Sequence, residues 1–148
     1  MPDQTTLQAA DFELVHSVAV SHDDLVYVAD RPNRRIQIFT LEGKFVSQML
    51  INPQGPSGQS VAGIAFSPDP EQRLMYVGDY GNSQVLTIDR KALKILNVWG
   101  TRGAAPGDFQ GIHEVNLDSH GNLYVAEVAP GNRFQRFVRS GTVPASSN

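Results

Sequence analysis

The 148-residue chain has no cysteine, which excludes disulfides and thiolate metal sites. Charge of either sign is sparse: 12 Lys and Arg stand against 15 Asp and Glu, a net charge of -3, scattered along the chain. No basic stripe of the kind nucleic-acid binding needs is present, so nucleic acid is not an expected partner. No apolar run approaches the roughly 18 residues of a membrane-spanning helix. The opening Met1-Pro2-Asp3-Gln4 is polar. Neither signal peptide nor anchor is expected, and the expected location is the cytoplasm, with no membrane partner. Phosphate loops, serine elbows and thiol nucleophiles are missing too, and the glycine-rich 100–107 stretch lacks the lysine of a phosphate site. What remains, 41% hydrophobic and 18% charged residues, suits one folded domain.

Three segments of that domain align. Leu25-Val26-Tyr27-Val28-Ala29-Asp30, Leu74-Met75-Tyr76-Val77-Gly78-Asp79 and Leu123-Tyr124-Val125-Ala126-Glu127 each lead into a turn and a second apolar strand. Their tyrosines lie at 27, 76 and 124, spacings of 49 and 48, and the turn asparagines at 33, 82 and 132. A period in the forties with Val, Ile and Tyr runs is the signature of β-propeller blades. The predicted fold is therefore all-β: three four-stranded blades, half a propeller. The predicted bounds are an N-terminal arm at 1–12, blades at 13–51, 60–99 and 110–139, and a polar tail at 140–148.

Within the blades the inner strands are expected at 17–20, 63–66 and 114–117. Second strands fall at 25–29, 74–78 and 123–126, third strands at 35–40, 84–88 and 133–138. Outer strands follow at 44–50 and 94–99. Propellers close with four to eight blades, so three leave two apolar faces wet. The expected remedy is a homodimer about a twofold axis, a six-bladed ring in which residues 6–12 of each copy finish the other's third blade.

Tyr27-Val28-Ala29-Asp30 followed by Asn33, Arg35-Ile36-Gln37 and Phe39 resembles the NHL repeat. More narrowly, Val15-His16-Ser17-Val18-Ala19-Val20, the Asp30 to Gln37 segment and Ile112-His113-Glu114-Val115 resemble blades of peptidyl-α-hydroxyglycine α-amidating lyase, from residue 12 to about 138. That family is a six-bladed propeller in which three histidines from different blades bind zinc at the channel, while a tyrosine and an arginine work on the substrate. The resemblance implies His16 and His113 as two of the zinc ligands. It places the third histidine, the arginine and the tyrosine in blades outside this chain. Glu114 stands where the family has an aspartate near a structural calcium, so it is a candidate calcium ligand or support for the histidines.

By position, His16, Ala62 and His113 begin the three inner strands, at spacings of 46 and 51, and face a propeller's axis. Imidazoles converging there either hold a metal or line a wet channel. Arg31 and Arg34, in one loop, are candidates to contact an anionic ligand or are simply solvated. Tyr80 lies in a turn like the one carrying the lyase's tyrosine, one residue shorter and in a different blade. The function expected is a binding module whose channel and loops meet a small-molecule or peptide ligand. The alternative is a zinc-dependent lyase acting on a carbinolamide, and a third reading is a remnant that only assembles.

Overall fold

Alternating apolar and polar residues between Gly-, Asn- and Asp-rich turns dictate short antiparallel strands, and among the described residues strands are the only regular elements. The computed structural model describes residues 9–55 and 58–140. The first blade is β1 (Val15–Val20), β2 (Leu25–Asp30), β3 (Arg35–Thr40) and β4 (Phe45–Leu50). The second is β5 (Val61–Phe66), β6 (Leu74–Asp79), β7 (Gln84–Asp89) and β8 (Lys94–Trp99), and the third β9 (Ile112–Leu117), β10 (Leu123–Glu127) and β11 (Arg133–Phe137). Each is an antiparallel meander in chain order. Among the described residues the third sheet has three strands, not the four expected of a full blade, because residues 138–140 add none and the rest of the tail lies outside them.

The second and third strands of blade 1 are buried, while the outer strands β4 and β8 are largely exposed. Burial concentrates where blades meet. Tyr27, Ala29, Ile36 and Ile38 pack against Val61, Ile64, Met75 and Val77 to join the first two blades. Ala65 and Val85 meet Ile112, Val115 and Val125 to join the second and third. Close approach at the second junction demands glycine. A Cβ on Gly63 would lie 2.6 Å from the Val115 amide nitrogen, and one on Gly78 would lie 2.6 Å from Ile112 Cγ2.

A buried charge latches the connections to the blades. In blade 1 Arg35 donates to Asp30 at 3.0 Å and to the Asp11 carbonyl at 2.7 Å, and Asp30 accepts from the Glu13 amide. In blade 3 Arg133 donates to Glu127 and the Asp108 carbonyl, each at 2.8 Å, and Glu127 accepts from the Gln110 amide. Asp11-Phe12 and Asp108-Phe109 are therefore the same structural segment repeated. The described part of the arm, residues 9–12, thus lies on its own first blade rather than reaching for another copy. Its residues 1–8 lie outside the described residues. Blade 2 has Gln84 at the arginine position, and burial pushes its Asp79 carboxyl up.

Candidate axial site

The inner strands begin earlier than expected, so His16, Ala62 and His113 sit second in β1, β5 and β9. In β1, Val15 pairs with Asp30 and Ser17 with Ala29, which leaves His16 as the extra residue of a β-bulge. In β9, Glu114 pairs with Ala126 and Ile112 with Glu127, which leaves His113 in the same role. A bulge releases one residue from the ladder and re-aims its side chain. Both imidazoles are thereby turned out of their sheets toward each other, across blade 2.

The two rings meet edge to face, their Nε2 atoms 3.1 Å apart. His16 Nδ1 lies 2.9 Å from the Ala62 carbonyl oxygen. Only an Nδ1–H can donate there, so the neutral His16 ring keeps its Nε2 lone pair free and His113 Nε2–H donates to it. Burial, with further contributions from the Arg31 charge and His113, holds His16 below the usual histidine range against the opposing Ala62 bond. Neutral imidazole is the form a metal needs.

Arg31 leaves β2 beside this pair, its guanidinium carbon 4.8 Å from the centre of the Tyr80 ring. Its Nε is buried without a hydrogen-bond partner among the described residues. Arg31 and Tyr80, from neighbouring blades, are therefore brought together, close enough to the imidazoles for the Arg31 charge to act on His16. Arg34 is not part of that group. It is buried, and its Nη1 donates to the carbonyls of Asn52, Pro53 and Gly55, so a ligand could reach it only by displacing the loop. Glu114 turns back to accept from its own Val115 amide, and burial raises its carboxyl. Calcium takes six to eight oxygen ligands. Among the described residues no three His, Cys, Asp or Glu side chains gather for any metal. The bulges and the Ala62 bond escaped sequence reasoning; their one trace is a histidine placed just before each apolar run.

Three meanders side by side, with inner-strand residues converging at one end, are consecutive blades of a β-propeller. Residues 12–39 match the NHL repeat. Among solved structures the chain is similar to Kuenenia stuttgartiensis hydrazine synthase, with a TM-score of 0.62 and 14% identity over 86% of this chain and 33% of that one. It is also similar to the dihydro-heme d1 dehydrogenase NirN, solved in complex with DHE, with a TM-score of 0.57 and 20% identity over 84% of this chain and 28% of that one. The chain thus spans about a third of those structures' length. No curated protein matches it. The fold is a partial β-propeller whose residues 12–39 match an NHL repeat. No helix among the described residues is long and apolar enough to cross a membrane.

Proposed function

We propose that the protein is a ligand-binding propeller module that holds a zinc ion on Nε2 of His16 and His113, with Arg31 poised beside it for an anionic or strongly polar ligand group. One observation carries this reading: the two Nε2 atoms stand 3.1 Å apart. Two nitrogens on one tetrahedral zinc, each bonded at about 2.0–2.1 Å, stand about 3.3–3.4 Å from each other. To take the ion the pair opens by a few tenths of an ångström and His113 moves its proton from Nε2 to Nδ1, which frees the second lone pair. The Ala62 carbonyl that fixes the His16 tautomer is the support such ligands characteristically have. Two imidazoles leave coordination positions for solvent, ligand or residues outside this chain.

Metal analysis after dialysis against micromolar zinc tests this. One zinc per pair of these histidines is expected, with His16→Ala and His113→Ala each weakening binding by about tenfold or more. Wild-type protein that retains no zinc ends the reading.

A second reading, a zinc-dependent lyase, gains support from Arg31 stacked on Tyr80 next to the imidazoles. Its substrate would be a carbinolamide such as a peptidyl-α-hydroxyglycine. A bound zinc would supply Lewis acidity toward the substrate hydroxyl. The hydroxyl gives up its proton, its C–O bond becomes a carbonyl, the C–N bond breaks and the nitrogen takes a proton, leaving an amide and glyoxylate. In this reading Arg31 would hold the substrate carboxylate. Zinc-loaded protein that releases no glyoxylate from such a peptide leaves the binding module alone standing.

A further inference from the structure

We propose that the two uncovered blade faces are halves of one junction, and that a second copy of this chain supplies the other half, so that blade 3 of each copy packs on blade 1 of its partner. The inference rests on the blade faces and is independent of any metal.

Equivalent positions show the fit. At the first internal junction Ala29 of β2 and Val61, first residue of β5, are buried in one cluster. At the second the corresponding residues are Gly78 and Ile112, where the side chain lost on one side is offset by the larger one opposite. The same two positions on the free faces hold Ala126, in β10, and Val15, first residue of β1. That is the Ala–Val couple of the first junction.

Neighbouring positions repeat the lesson. Phe109, 0% exposed, fills the second junction against Trp99 and Phe137. Its counterpart Phe12 has Phe39 on one side and is 36% exposed. Val115 lies 3.3 Å from a Cβ on Gly78, whereas its counterpart Val18 is 57% exposed. On the free face of blade 3 an apolar groove of about 260 Å³, lined by Tyr124, Ala126 and Phe134 among others, lies where Val18 of a second copy would enter. Phe134 itself is 72% exposed.

A twofold operation along the propeller axis forms both junctions at once and leaves no face open, whereas a repetition of the same contact whose rotation does not close runs on as a filament. Closure also brings a second His16–His113 pair to the channel.

Light scattering on the purified full chain, in chelator so that metal plays no part, tests the proposal. The expected mass is twice 16.2 kDa, with no larger species as concentration rises. Val18→Lys and Phe134→Asp alter side chains that are exposed in the single chain, so each should keep its β circular dichroism yet run as a monomer. Mixing the two variants should restore the dimer, since one junction of the mixed ring is then unaltered. A wild-type monomer, a mass that grows without limit, or a Phe134→Asp protein that stays dimeric would each overturn it. None of these outcomes bears on zinc binding, which the metal analysis decides separately.

Discussion

The two imidazoles sit where the chain departs from regular pairing. A ladder residue would be committed to the blade faces; a bulge residue is free to point elsewhere, and here each imidazole turns toward the other. His16 is the more constrained, because its ring is both desolvated and tied to Ala62. Its depressed titration has a readable consequence. The folded protein protonates His16 less readily than the unfolded chain, whose histidine titrates at 6.5, so between the folded value and 6.5 the unfolded state binds more protons and stability rises with pH. Thermal midpoints measured from pH 7.5 down to pH 5 should fall as the pH drops through 6.5. His16→Ala should flatten that part of the curve. A wild-type midpoint independent of pH over the window would contradict the desolvated, neutral ring.

At the level of the element, each blade end is organised by a carboxylate on the last residue of the second strand. Asp30 and Arg35 are enclosed, with side-chain exposures of 0% and 1%, while Arg133 beside Glu127 is 27% exposed. Removing one member of an enclosed pair strands the other charge, at about 3–5 kcal/mol, and the loss shrinks where water reaches the survivor. Asp30→Ala should therefore lower the urea midpoint considerably more than Glu127→Ala; equal losses would show that enclosure of the arginine is not what matters. Much of this element level was legible in sequence. Strand positions followed from apolar runs and turn residues, and Asp30, Asp79 and Glu127 end their strands one residue beyond the expected bounds. The Asp-Phe pair repeated at Asp11-Phe12 and Asp108-Phe109 is legible too, but it lies in the connections and outside the apolar runs that mark the strands. Arg34 could not be read correctly, since its burial depends on a left-handed backbone at φ 52° and on three carbonyls of a loop some twenty residues away. The bulges were nearly as hard to read, for a histidine ahead of an inner strand does not say which residue the ladder skips.

Taken whole, the molecule is a stack in which each blade packs on its neighbours and the His16–His113 pair links the first blade to the third, so stability is close to a sum of blades and junctions. Blade 3 has three strands and one covered face among the described residues, which makes it the first to open. The single tryptophan, Trp99, reports on that event, for it packs on Phe109 at 5.4 Å and Phe137 at 4.8 Å across the second junction. Under conditions where the chain is monomeric, its fluorescence should change at lower urea than the far-ultraviolet signal of the whole array. Coincident transitions would mean the three blades unfold as one unit.

The latches also set an order of construction. Asp11 and Glu13 precede the strand carrying Arg35, and Asp108 and Gln110 precede the one carrying Arg133. Every clamp is thus synthesised before the arginine it must receive. A nascent chain leaving the ribosome therefore has the acceptors Asp11 and Asp108 already in place when Arg35 and Arg133 follow.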